Sequence, residues 1–323
     1  MEIFKSSKIY DFMGKSKIFI AISVLFILTS FALLFTKGLH YGIDFAGGTL
    51  VQVRYDHKAP IKEIRESIKK DKMFKNASIT EFGSPNEIVI RFSTSSSSVG
   101  VDVGDKVRGL LKSTGQFEVR RVDMVGPKVG NELREKGLMA MVLSIIAILI
   151  YVAFRFEWRF GLASILALIH DVSISLGFVS LVGIDVNLDI LAAILTIMGY
   201  SLNDTIIVFD RIREGIKETK VMNLFEIIND SVTKTLSRTT LTSLTTFFVV
   251  LTLYLFGGEI IRGFSFTLLV GIIVGTYSSI FIASPFLKWL GFDVAKFKQK
   301  ELEKEKRERE KEKMRQMYEG GVV

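Results

Sequence analysis

The stretch Val186–Phe209, "VNLDILAAILTIMGYSLNDTIIVF", is long and apolar enough to cross a bilayer, whose hydrocarbon core takes about 20 residues of helix. Near its end, within Leu202–Arg211 ("LNDTIIVFDR"), it sets Asn203 and Asp204 where hydrocarbon is expected. Asp204 lies about 9 Å of helix rise inside the end of the run, too deep for a surface residue. An ionised carboxylate in lipid costs at least roughly 2.5 kcal/mol, so this side chain has to face a bundle interior or a wet cavity. The reading that follows is a membrane helix packed among others, with an acid on its inner face.

Five further runs support it. Ile18–Thr36 is a first span, and others occupy 138–156, 160–182, 239–256 and 264–289, with the opening stretch as the fourth of six. The whole chain of 323 residues is 49% hydrophobic with 26 Phe and only 4 Pro, a composition too apolar in its clustering for one soluble core. The first run follows Lys15 and Lys17 as a signal peptide would, but it is long enough to span and no small-residue cleavage pattern follows it. A retained anchor is expected. The chain has no Cys, which removes disulfides and thiol chemistry, and its three His leave little material for a metal site.

Orientation is read from basic residues beside short loops. Lys5, Lys8, Lys15 and Lys17 precede the first span, Arg155 and Arg159 lie between the second and third, and Arg211, Arg213, Lys217, Lys220 and Lys234 lie between the fourth and fifth. The opposite side has only Arg262 in its short loops. This predicts a cytoplasmic N-terminus (1–17), a cytoplasmic loop at 210–238, a cytoplasmic tail at 290–323, and an extracytoplasmic segment at 37–136.

That segment has soluble-domain patterns. "TLVQVRY" alternates as a strand, and "PIKEIRESIKK" starts at Pro60 and repeats Ile61, Ile64 and Ile68 at helical spacing. "ASITEF" and "EIVIRF" alternate across a "GSPN" turn. After a Ser-rich loop at 93–98 come a helix near Asp102–Lys112 and a last strand in "QFEVRRV". The order β-α-β-β-α-β predicts a ferredoxin-like α+β domain. The tail, "KQKELEKEKREREKEKMRQ", is a mixed-charge run with almost no apolar stripe, read as a solvated segment with contact to lipid, ribosome or partner protein as the alternative.

Three spans carry polar stripes. At about 100° per residue, Asp189, Ala193, Thr196, Tyr200, Asn203, Asp204 and Ile207 fall near one line of the fourth span. Ser164, Asp171 and Ser175 align on the third, beside His170, and Arg238, Thr242, Thr245 and Thr252 align on the fifth. One reading joins Asp171, Asp204 and Arg238 in a buried titratable cluster whose protonation alters helix packing. The other is a satisfied polar pair that fixes helix register, with Arg238 reaching to the interface. In the sixth span Gly271 and Gly275 have the spacing that permits close helix approach, read as internal packing with a partner contact as the alternative. "FAGGTL" lacks the rest of a phosphate loop, no hydrolase or nucleotide motif is present, and the basic residues flank spans instead of forming a nucleic-acid patch. No catalytic residue, cofactor or metal is expected.

Five motifs extend this reading: "YGIDFAGGT" after the first span, "VGPKVGNELR" before the second, "HD" in the third, "GYSLNDTIIVFDRIRE" in the fourth and "SRTTLTSLTTF" opening the fifth. Together they resemble the SecF family, membrane subunits of the bacterial Sec protein-export machinery. The resemblance implies a membrane α-helical bundle of six transmembrane helices, half of an RND-like transporter, with the ferredoxin-like domain in the periplasm and both termini on the cytoplasmic side of the inner membrane. It implies pairing with SecD, action with the SecYEG channel after SecA has started translocation, and use of the proton gradient to complete preprotein movement. The family's proton-linked Asp falls on Asp204, its essential Arg on Arg238 and a third-span Asp on Asp171, with Tyr200, Asn203 and Thr242 as supporting polar groups. Its motif beside the periplasmic domain falls on Asp44, Gly47 and Gly48, read here as a Gly-rich turn packing the domain onto the first span, with substrate contact as the alternative. A passive scaffold and an exporter of small molecules or lipids are the competing functions.

Overall fold

The computed structural model describes residues 9–74, 76–93 and 102–319. Lys5, Lys8 and residues 94–98 of the Ser-rich loop lie outside them.

The chain begins its bundle with helix α1 (Ser16–Thr36), then passes through a short helix α2 (Ile43–Ala46) into the α+β domain. There, β1 (Gly48–Tyr55), α3 (Ile61–Lys69), β2 (Ser78–Phe82), β3 (Ser84–Phe92), α4 (Val103–Leu111) and β4 (Phe117–Val125) follow in the expected order. All neighbouring strands are antiparallel in the order β2-β3-β1-β4, the ferredoxin-like arrangement. Val51, Val53 and Tyr55 of β1 point to the face covered by Ile64 and Ile68 of α3 and Val107 and Leu111 of α4, as alternation in a strand and fourfold spacing in a helix require. The hairpin is tighter than "GSPN" suggests: Gly83 alone turns the chain at φ +75°, and Ser84, Pro85 and Asn86 already belong to β3.

Helices α5 (Pro127–Arg155), α6 (Trp158–Val182), α7 (Leu188–Glu218), α8 (Leu224–Phe256) and α9 (Glu259–Ser278) complete the bundle. The last span continues through a π-helical turn at Ser279–Ala283 into α10 (Ser284–Trp289), and α11 (Val294–Glu319) carries the tail. Among the described residues, six helices are therefore long and apolar enough to cross a membrane. Helix α7 packs against α6, α8 and α9. By contrast, α1, α5 and α8 leave Leu28, Phe35, Leu143, Phe154, Val249 and Phe256 exposed, which is the side for lipid or another protein.

Two boundaries differ from the sequence reading. The segment 210–238 is not a loop, because α7 continues to Glu218 and α8 begins at Leu224. Ile212, Ile216, Ile227, Ile228 and Val232 form an apolar stripe between these charged helical extensions and bury it in the core with Phe160, Phe209 and Leu287. Likewise, α5 starts at Pro127, inside the segment assigned to the soluble domain. Proline suits this first helical position because its missing N–H would have no partner there.

Candidate functional site

The π-helical turn follows a close-packed rail. Added β-carbons at Gly271 and Gly275 would lie 2.2 Å from Ile197 Cγ1 and 2.9 Å from Ser201 Cβ, so these glycines let α9 lie directly on α7. Polar side chains in the bundle gather around that contact in two groups.

In the first, Asp171 of α6 is fully buried and fully engaged. Its Oδ2 accepts hydrogen bonds from Ser201 Oγ of α7 (2.5 Å) and Ser278 Oγ of α9 (2.8 Å), while its Oδ1 lies 2.8 Å from Nδ1 of buried His170. The His170 ring stacks on Tyr277 at 6.2 Å between centroids, and the Tyr277 hydroxyl donates to the Phe19 carbonyl at 2.5 Å. One carboxylate thus joins α6, α7 and α9, and its histidine neighbour extends the network towards α1.

The second group is sparser. Asp204 of α7 is also fully buried, but only its Oδ2 has donors: Ser243 Oγ of α8 at 3.1 Å and Thr276 Oγ1 of α9 at 3.5 Å. Thr276 has a single proton and stands closer to Ser243 Oγ and the Ile272 carbonyl, each at 2.8 Å, so Ser243 is the main donor. Among the described residues, Asp204 Oδ1 has no hydrogen-bond partner, nor do the nearby helix hydroxyls of Tyr200 and Thr239. Hydroxyl dipoles face this carboxylate where a cation would usually stand.

The structure does not bring Arg238 into that shell. Arg238 is exposed on α8, and its side chain has no partner among the described residues. Ser243 and Thr239 occupy the inward face of α8, while Thr245 and Thr252 are exposed and Thr242 is half-buried. The three threonine hydroxyls return to carbonyls of their own helix, which satisfies them without any other element. On α7, Asp204 and Ala193 are buried whereas Asn203 and Thr196 are exposed, so the polar line straddles the edge of the bundle. Sequence reasoning missed Ser201, Ser243, Thr276 and Ser278 as partners; the only signal was hydroxyl residues at depths matching the two acids.

The glycine motif lies at the domain side. Gly47 and Gly48 have φ of +72° and +138°, and β-carbons there would lie 2.9 Å from Pro127 Cα and from the Phe92 carbonyl. The turn therefore packs against the start of α5 and the end of β3, not against the first span. Asp44 Oδ2 accepts from the Leu188 amide at 3.0 Å, at the first turn of α7.

Two family models match the chain: the C-terminal region of protein export membrane proteins SecD/SecF over residues 106–293, and the SecD/SecF GG motif over 32–59. The chain belongs to the SecD/SecF protein-export family. A protein translocase subunit SecF of Helicobacter pylori strain J99 is 51% identical over the full length of both chains, and one of Vibrio alginolyticus is 44% identical over 90% of this chain and 92% of its own. The crystal structure of SecDF from a Thermus species, a translocon-associated membrane protein, superimposes with a TM-score of 0.81 at 37% identity, covering 90% of this chain. A second SecDF structure gives 0.66 at 35% identity over 94% of this chain. The chain spans 40% of the first SecDF chain and 41% of the second. In the SecD/SecF family the fold is thus a six-helix, RND-like membrane bundle bearing a small antiparallel α+β domain.

Proposed function

We propose that this chain works as the SecF half of a paired SecD–SecF assembly of the inner membrane, in which the proton gradient drives late movement of preproteins exported through SecYEG after SecA has begun the process. In this reading the α+β domain is periplasmic and both termini are cytoplasmic, as the basic flanks favour. The observation that carries it is Asp204, a buried intramembrane acid that, among the described residues, has one oxygen unpartnered and no cation paired with it, on a bundle where Asn203 of α7 and Arg238 of α8 stand exposed. An exposed guanidinium and amide on a membrane helix call for a protein neighbour, and a homologous SecD half fits. Arg238 then works across the interface between halves, and Asp204 takes and releases the proton, with Tyr200, Asn203 and Thr242 lining the path. Asp171 holds the α6–α7–α9 rail in place.

The test is preprotein translocation in vesicles with SecD present, with and without a proton gradient, for the wild type, Asp204→Asn and Arg238→Ala. Co-purification with SecD checks assembly. Gradient stimulation is expected to vanish in both variants while assembly persists. If both variants respond to the gradient as the wild type does, the polar groups are structural and the chain is a scaffold.

A further inference from the structure

The segment between α1 and β1 makes more contact with α7 than a linker requires. Gly42 donates its amide to the Val186 carbonyl at 2.8 Å, and Val186 donates to the His40 carbonyl at 2.6 Å, pairing Tyr41 with Val186 as a β-bridge. Two residues on, Asp44 accepts from the Leu188 amide, supplementing the cap that Asn187 makes on the Ile190 amide. Phe45 belongs to one buried cluster with Val186, just before α7, with Ile190, Ile194 and Met198 of α7 and with Leu168 and Val179 of α6. The same segment then enters β1 through Gly47 and Gly48, whose backbone leaves no room for a side chain against Pro127 and Phe92. A second tie lies alongside, where Arg91 of β3 forms an ion pair with Asp185, just before α7.

A helix start leaves its first amides without internal partners, and a carboxylate there also meets the positive end of the helix dipole. Asp44 supplies that group from outside the helix. The helix it caps is the one that carries Asp204. Backbone pairing, a cap and an embedded aromatic ring thus join the segment that leads into β1 to the start of α7.

We propose that residues 40–48 form a rigid strut through which the α+β domain and α7 move as one body, with Asp44 as the positioning residue and Phe45 as its anchor. The strut rests on the proposed proton-driven function, whose site on α7 it connects to the domain. Asn at position 44 keeps an acceptor oxygen for the Leu188 amide, whereas Ala removes it.

The assembly with SecD is used throughout, with Asp204→Asn run in parallel. Asp44→Ala is expected to lower gradient-dependent translocation about fivefold, the population shift that loss of one helix cap produces, with gradient-independent translocation and co-purification retained. Asp44→Asn is expected to restore it. Hydrogen exchange at the amides of residues 188–190 should rise in Asp44→Ala but not in Asp44→Asn. Because the chain has no cysteine, the pair Tyr41→Cys and Val186→Cys can be oxidised cleanly; bridge partners lie about 5 Å apart, within reach of a disulfide. A strut that stays closed predicts that this lock leaves gradient-dependent translocation intact. Inhibition by the lock that reductant reverses would overturn the proposal, as would an Asp44→Asn variant as impaired as Asp44→Ala. Should Asp204→Asn keep its gradient response, the proton reading fails by itself, and the strut stands or falls on the exchange difference at 188–190.

Discussion

The two buried acids of the bundle differ in what surrounds them. Asp171 has a partner on each oxygen and ties α6 to α7 and α9, whereas Asp204 has one firm hydroxyl donor and an empty second oxygen. Both sit beside the same α7–α9 contact, yet only Asp204 adjoins a span face whose polar groups are exposed. A fully satisfied carboxylate resists change because altering it strands every donor it holds. One with unused capacity changes its protonation state with less disruption. The difference separates a clamp from a responsive group.

Alanine at each acid is the strongest way to break that comparison. Asp171→Ala strands Ser201 and His170 in the buried interior and leaves Ser278 only the Gly275 carbonyl at 3.1 Å, and is expected to destabilise the protein by about 3 kcal/mol. Asp204→Ala frees only Ser243, which has Thr276 within reach, and should cost about 1 kcal/mol. Thermal unfolding of the purified proteins in detergent measures both. Equal losses would erase the distinction between clamp and responsive site.

An effect below that of Asp171→Ala is expected at the rail on which both groups depend. Gly271→Leu would drive a side chain into Ile197, where even a β-carbon would lie 2.2 Å from Cγ1, and overpacking of this kind costs about 1–3 kcal/mol. If the rail positions both acids, the same variant should also weaken gradient-dependent translocation. An unchanged unfolding temperature would mean that α9 shifts freely along α7, and the shared scaffold would be refuted.

Much of this was legible before any coordinates. The α+β domain declared itself because a strand with one buried face alternates and a packed helix repeats every three to four residues, as Val51, Val53, Ile64 and Ile68 do. The spans were equally plain from length and apolarity. Their inward faces were not, since a membrane helix is apolar all round and the visible stripe on α8, Arg238 to Thr252, turned out to face away from the bundle. Ser243 and Thr276, which hold Asp204, lay in hydroxyl-rich stretches, "TTLTSLTT" and "TYSS", where nothing in the sequence singled out the one hydroxyl that turns towards the acid. The helical extensions around 210–238 were missed because dense charge masked the isoleucine stripe beneath it. Asp44 could not be recognised as a cap for α7, because the helix it caps begins 144 residues later in the chain.

A third carboxylate, outside the bundle, gives the finest test of the contrast. Glu301 of α11 lies 3.1 Å from Lys217 and 3.2 Å from Arg213, and fastens the start of the tail to the extension of α7. Burial alone would push its carboxyl up, but the two cations outweigh it and hold it below the usual glutamate range. A depressed native value means that ionised Glu301 stabilises docking at any pH above the ordinary carboxylate range of about 4.5, and that this contribution fades as pH falls through the lower native value. A spin label on Gln299→Cys should therefore report an immobilised tail near neutrality and a more mobile one only at the acid end, with Glu301→Gln mobile throughout and unresponsive to acid. The effect should be under about 1 kcal/mol and should shrink in salt, as partly exposed ion pairs do. Mobility that changes near neutral pH instead would point to a group other than Glu301, and the ion-paired acid would no longer serve as the reference against which the unpaired Asp204 is judged.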